Sequence, residues 1–437
     1  METRTKNDSS QRGGNENVDA SRSPRRPARH KGLKLRYHPY QIQPEHGDIM
    51  HVKQIAITNI GGIGDLLIRF DDQMNVICGP NGIGKTTILE SVAQAFAGMQ
   101  TTMLKRRVTS EQGKVVADLA NAAGNKQVIF DVKSFIPDQY DYFGLDQDLN
   151  RQLLSLKVAR TFSYSALPSV TRDATRDVNT LSQDNRNGVK LNEVKNWFVN
   201  RYLYAPHGTA LTATQLHNLE VAKRFFTLLN PSFQFSRVDA GSNEIMVDTP
   251  SGEIYFEYLS AGFKSCLSIL LGITKELEYR FKDPTIKVDE FTGVILIDEL
   301  ELHLHPEWQA KIAGILMQAF PASQFIATTH SPHVIQAAEP QQVVALEFIE
   351  GKVVKRELPQ NKYGFKGWTV EEVLEDVMGM KDTRTPVYKA ALKKFENAVD
   401  SEDFETAASA YAELDLLLHP ESHLRKLFAF QLGALRG

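Results

Sequence analysis

The sequence predicts an α/β fold with an inserted helical lobe and a helical C-terminal region. Three observations lead there. A glycine-rich loop separates a short apolar strand from an amphipathic helix between residues 74 and 99. A second, wholly apolar strand at 294–297 ends in two adjacent acids. Helices and strands then alternate from 261 to 357.

Residues 1–45 are rich in Ser, Asn, Arg, Gly and Pro and hold too few apolar groups to offset the entropy of ordering, so a disordered arm is expected. Residues 21–36 hold seven of the chain's 50 Lys and Arg and no acid, which leaves 43 basic residues against 53 acidic ones elsewhere. Such a basic arm either solubilises the chain or meets phosphate backbones or an acidic partner, and both readings stay open.

His51–Thr58 alternates as a strand, Leu66–Phe70 is a second and Met74–Cys78 a third. Turns at Gly61-Gly62 and Asp71-Asp72 suggest that they share one compact sheet edge. Lys85–Met99 places Ile88, Leu89, Val92 and Phe96 on one helical face, and residues 128–136 read as another strand. Residues 137–250 are the expected inserted lobe. Helices are expected there at Leu149–Val158, Leu191–Tyr202 and Thr214–Leu229, with a polar stretch at Thr171–Asn187. Short strands follow at Phe233–Val238, Asn243–Asp248 and Glu253–Tyr258.

The α/β pattern resumes with a helix at Ala261–Tyr279, a buried strand at Val294–Ile297, a helix near 306–319 and a strand at Gln324–Thr328. Pro332–Ala338 is a short helix, and Val343–Phe348 and Lys352–Glu357 flank a Glu350-Gly351 hairpin turn. Amphipathic helices fill 369–435, with Tyr388, Leu392, Phe395 and Val399 on one face and Phe404, Tyr411, Leu414 and Leu418 on another. The expected division is an α/β core over 46–380 and a helical region over 381–437.

With 437 residues, 42% hydrophobic and 24% charged, the chain can bury a substantial core and is neither wholly disordered nor fibrous. No run approaches the roughly 18 apolar residues of a membrane span, and the polar N-terminus lacks the apolar core of a secretory signal. Cys78 and Cys266 are too few for a disulfide framework or a zinc site. A cytoplasmic location without a membrane partner is the expectation.

The glycine-rich loop is Gly79-Pro80-Asn81-Gly82-Ile83-Gly84-Lys85-Thr86-Thr87, a P-loop placed after a strand and before a helix. Its glycines let backbone N–H groups face phosphates at a helix N-terminus, where the dipole also favours anions. Lys85 would reach the β- and γ-phosphates of ATP, and Thr86 would ligate Mg²⁺. The apolar strand Val294–Ile297 delivers Asp298 to the metal's water shell and Glu299 as the general base for an attacking water.

Leu259-Ser260-Ala261-Gly262-Phe263-Lys264 opens a helix. Ser260 and Gly262 suit a γ-phosphate contact through a hydroxyl and backbone amides, although Ser-X-Gly is equally an ordinary helix cap. His330 follows Ala327-Thr328-Thr329, where it would contact the γ-phosphate and hold Glu299 and its water in place. His303-Leu-His305 could serve as a metal pair, but no carboxylate or cysteine cluster supports it.

In this order and spacing, the P-loop, LSAG, ILIDE and TTHSP resemble the ATP-binding-cassette ATPases. The resemblance is to the soluble branch of RecF-, SMC- and overcoming-lysogenization-defect-type proteins, not to transporter subunits. ITNIGGIGDLLIRF and MNVICGPNGIGKTTILESVA are similar to that branch's first strands and P-loop helix. IDELELHLHPEWQAKI and FIATTHSPHVI look like the versions in ATPases of phage-defence operons, the Septu type among them. The likeness covers residues 51–136 and 253–380.

It implies two protomers stacked head to tail, with ATP between one P-loop and the partner's Ser260 and Gly262. Leu300–Pro306 would cross that interface. Gln112 is offered for the family's glutamine loop, and Asn59 lies near the turn expected to contact adenine.

The chain also departs from the family. The span from Thr86 to Ser260 is longer than in a minimal cassette and lacks the sustained heptads of an SMC coiled coil. No acidic cluster after His330 resembles a Toprim nuclease. The expected function is therefore an ATPase that dimerises around ATP, with larger oligomers open. It would control a separately encoded effector, a nuclease, in bacterial antiviral defence. Nucleic acid would be met through that partner or through the basic arm. The alternative is a RecF-like DNA-repair clamp that binds DNA directly.

Overall fold

The computed structural model describes residues 50–435 apart from 102, 122–123, 145, 159–165, 192, 360 and 382, so the basic arm over 1–45 lies outside the described residues. Alternating burial makes β1 (His51–Ile60) and β2 (Ile63–Arg69) an antiparallel hairpin that buries Val52, Ile55, Ile57 and Ile68 on one face. The next strand, β3 (Met74–Cys78), does not join them. All five of its residues are buried, a pattern that needs a sheet covered on both sides, so the single sheet edge expected from the three strands is corrected.

After β3 come α1 (Lys85–Ala97), β4 (Met99–Thr101), β5 (Gly113–Asn121), β6 (Gly124–Val132) and β7 (Asp141–Phe143). β5 and β6 extend the first hairpin into a four-stranded antiparallel sheet ordered β2-β1-β5-β6, and β4 pairs with β7.

The expected helix at Leu149–Val158 is also corrected. α2 (Gln147–Arg151), capped by the Asp146 carboxylate, stops after five residues, and Leu153–Leu156 continues as β8. A four-residue apolar run is too short for its period to distinguish helix from buried strand. Within the stretch expected to be merely polar, α3 (Val178–Asn187) forms behind an Asp177 cap and buries Leu181 with Ser182 and Asn185. Its buried face is largely polar, so no apolar period marks it.

α4 (Val194–Tyr204) and α5 (Ala213–Leu229) follow, then a three-stranded sheet of β9 (Gln234–Val238), β10 (Ile245–Thr249) and β11 (Gly252–Tyr255). α6 (Ala261–Arg280), β12 (Val294–Ile297), α7 (Pro306–Ala319), β13 (Gln324–Thr328), α8 (Pro332–Ala337), β14 (Val343–Ile349) and β15 (Lys352–Lys355) lie where the sequence puts them. α9 (Val370–Glu372) leads to α10 (Pro386–Asp400), α11 (Phe404–Leu417) and α12 (His423–Ala434), which bury Phe395, Leu414 and Phe428 in a cluster of their own.

The central sheet has the order β15-β14-β3-β13-β12-β8 and is parallel except at its β15 edge. Val294 and Leu296 of β12 face α1 and the antiparallel sheet, whereas Ile295 and Ile297 face α6 and α7. Each such side chain contributes about 1.5–3 kcal/mol through burial. The chain runs from β3 to strands on both sides of it, and the carboxyl ends of β3, β12 and β13 share one edge of the sheet, where open α/β sheets bind their ligands.

Candidate active site

The P-loop leaves β3 through three glycines at positive φ: Gly79 at 141°, Gly82 at 74° and Gly84 at 106°. At Gly79 the requirement is also steric, because a Cβ there would lie 2.6 Å from the Leu346 carbonyl oxygen. Gly84 is the N-cap of α1, so the first N–H groups of the helix, which lack intrahelical acceptors, open onto the loop.

Lys85 follows, only 6% exposed, and its ammonium donates to the carbonyls of Gly79 at 2.9 Å and Pro80 at 3.1 Å. Burial lowers its pKa, while the carboxylates of Glu301, Asp298 and Glu299 oppose the fall.

Thr328, the last residue of β13, organises the acid pair. Its hydroxyl donates to Asp298 Oδ1 at 2.6 Å and accepts from the Glu299 N–H at 2.8 Å. Thr86 Oγ1 lies 3.5 Å from the same Asp298 oxygen. The Asp298 N–H donates to the Leu156 carbonyl at 2.9 Å. Glu299 itself takes a left-handed φ of 51°, a conformation unusual for a residue with a side chain and one that concentrates at functional sites.

Glu301 fixes the third strand end. Its carboxylate accepts from the Thr329 hydroxyl and from the His330 N–H, both at 2.6 Å. The Ser331 hydroxyl donates to Gln309 at 2.6 Å, and the His330 side chain stays exposed. Glu301, Thr328 and Thr329 were not singled out from the sequence. The only signal available was the second carboxylate two residues after Glu299.

Ser260 and Gly262 make their contacts elsewhere. The Ser260 hydroxyl caps α6 by accepting from the Phe263 N–H at 3.3 Å. A Cβ at Gly262 would lie 2.4 Å from Trp308 Cδ1, so this glycine is required by packing against the start of α7. Gln112 is exposed before β5. Asn59, at φ 55°, accepts from the Arg107 N–H at 2.8 Å, in a turn whose Gly61 lies over Thr87 at the start of α1. His303 is exposed at φ 64°, and His305 Nδ1 accepts from the Glu307 N–H at 3.4 Å to cap α7.

The edge therefore joins a glycine hollow lined with N–H donors, a buried lysine, and a hydroxyl and a carboxylate close together. Such a set fits a polyphosphate with a hard divalent cation, for which Thr86 and Asp298 offer oxygen donors 3.5 Å apart. Glu299, next in the chain after Asp298, adds a second carboxylate, a group able to accept a proton.

Residues 74–336 match the family described as "AAA domain, putative AbiEii toxin, Type IV TA system". The chain is 42% identical over 388 residues to Septu protein PtuA of Bacillus thuringiensis, a match covering 87% of this chain and 98% of that one. It is 28% identical over 225 residues to the Retron Ec83 probable ATPase of Escherichia coli, covering 51% of this chain and 38% of that relative. Among solved structures, the SMC head domain from Thermotoga maritima aligns over 71% of this chain and 99% of its own, at a TM-score of 0.39 and 17% identity.

Proposed function

The chain belongs to the P-loop ATPase family that includes Septu protein PtuA, and we propose that it is an ABC-type ATPase switch of bacterial antiviral defence. Two protomers close around ATP and together control a separately encoded effector, a nuclease. The observation that carries the ATPase part of this reading is the convergence of Lys85, Thr86, Asp298 and Glu299 on one sheet edge, where Thr328 bonds to Asp298 and to the Glu299 N–H and Thr86 meets Asp298.

In this reading the N–H groups from Gly79 to Thr87 hold the phosphates. Lys85 exchanges its two loop carbonyls for β- and γ-phosphate oxygens. Thr86 and Asp298 would hold Mg²⁺, which supplies charge neutralisation at the phosphates. Glu299 takes the proton of the attacking water, and Thr328 fixes its backbone for that task. Glu301 pins the segment that presents His330 to the γ-phosphate.

Ser260 and Gly262 serve the partner's nucleotide, so ATP bridges two protomers and its hydrolysis loosens them. The α10–α12 region, which exposes Leu416 and Phe430, is the surface assigned to the effector. No helix among the described residues is long and apolar enough to cross a membrane.

Glu299→Gln tests the assignment. The variant should bind ATP normally, hydrolyse it at least about 100-fold more slowly, and sediment as an ATP-dependent dimer. Hydrolysis at the wild-type rate would remove Glu299 as the base, and an ATP-loaded monomer would remove the closed dimer. Pulled down with ATP and Mg²⁺ from cells carrying the native neighbouring genes, the variant should recover a nuclease. Recovery of DNA alone, lost on raising salt, would favour the repair-clamp reading.

A further inference from the structure

Five parallel strands run towards the edge that holds the site, and β3, β12 and β13 lead into residues already placed there. A further one, β8, delivers Lys157. Its position is fixed by β12: Leu156 pairs with Ile297 and accepts from the Asp298 N–H, so Lys157 and Asp298 leave the sheet side by side.

The Lys157 ammonium donates to the Glu90 carboxylate, and the two side chains are only 13% and 8% exposed. Glu90 stands on α1 four residues after Thr86, one turn along the same helix face that meets Asp298. The stem of Lys157 is backed by Gly188, where a Cβ would lie 2.6 Å from Lys157 Cγ. Burial raises the Glu90 carboxyl, the Lys157 charge opposes that rise, and the Asp298 charge adds to it, which reports how close the two acids are.

A buried ion pair does little for stability, since desolvating two charges costs about as much as their attraction returns. A charge beneath a cation site has a direct electrostatic effect on that site. We propose that Lys157 and Glu90 are a positioning pair that sets the potential beneath Thr86 and Asp298, and with it the balance between binding metal-free and metal-bound nucleotide. Glu90 makes the site more negative and Lys157 cancels that charge. The inference rests on the ATPase reading and adds two residues that act through the metal ligands rather than on substrate.

The two single substitutions should act in opposite directions. Glu90→Gln leaves the ammonium uncompensated. A fluorescent ATP analogue should then bind about tenfold more tightly in EDTA, and the Mg²⁺ needed for half-maximal enhancement should rise by a similar factor. Lys157→Met leaves the carboxylate uncompensated and should reverse both shifts. The double variant, with no net charge at the pair, should return to within about twofold of wild type.

A purely structural pair would instead weaken both binding quantities together in every variant, and that result would overturn the proposal. Should one single variant fail to fold, the sign of the other decides. If the wild-type protein itself shows no Mg²⁺-dependent binding of the analogue, the ATPase reading fails. If it does, and the two single variants shift the same way, only the charge pair fails.

Discussion

Cys78 closes β3 immediately before the P-loop, and burial pushes its thiol up to about 12 against the opposing charges of Lys85 and Arg356. Burial alone does the same for Cys266, also to about 12. Neither side chain is exposed, and the reactive thiolate is scarce at neutral pH. A thiol-specific chromogenic reagent at pH 8 should therefore label neither cysteine in the native protein and both in denaturant. Fast native labelling would mean that the β3 edge opens readily.

The same shift fixes a sign for stability. Both folded values exceed the ordinary thiol value of 9.0, so the contribution is complete below pH 9 and is lost as pH rises towards 12. Legibility at this scale follows the chemistry. Lys85, Thr86, Asp298 and Glu299 stand out because phosphate and metal chemistry demands those residue types next to glycines and an apolar strand. Glu301 does not stand out, because it acts on the backbone of His330, 29 residues away, and no local pattern marks such a bond.

Among the elements, the start of α6 shows that a motif proposed to meet the partner's nucleotide is also required by packing. The glycine of its Ser-Ala-Gly start lies against Trp308, whose ring meets Phe263 edge-on with centroids 5.9 Å apart. Gly262→Ala forces a methyl group to within 2.4 Å of the indole. It should cost about 1–3 kcal/mol, read as a lower melting temperature. Adding Trp308→Ala should recover part of the loss caused by the methyl group. No recovery would mean that the glycine is needed for its backbone and not for the space.

Elements with a clear period or a wholly apolar strand, such as α1, α7, β12 and β13, were legible. β8 was not, because Leu-Leu-Ser-Leu fits a helix as well as a buried strand until a neighbour pairs with it. α3 escaped notice because much of its buried face is polar, with Asn185 donating to Asn150 at 2.7 and 2.8 Å. β3 is recognisable as a strand but its sheet is not, since its partners β13 and β14 lie about 250 residues further on, beyond any local signal.

At the scale of the whole molecule, the proposed reading makes the site a composite of two chains. Within one protomer the Ser260 hydroxyl is occupied in capping its own helix, while Lys85 and Asp298 lie in a separate network. If each P-loop is completed by the other protomer's signature, two defective chains can complement one another. Lys85→Ala protein lacks a working P-loop but keeps its signature, whereas Ser260→Arg keeps the P-loop and places a bulky cation where the partner's γ-phosphate would sit.

Ser260 is exposed, so the arginine fits at the surface, and loss of the cap costs about 1 kcal/mol. Each variant alone should be nearly inactive. After equal mixing, half of the dimers are mixed and each has one intact composite site, so hydrolysis should return to about a quarter of the wild-type rate. A mixture as inactive as its components would place the signature in cis and remove the reason for ATP to hold two protomers together. An active Ser260→Arg protein on its own would show that this serine makes no γ-phosphate contact and serves only as the cap of α6.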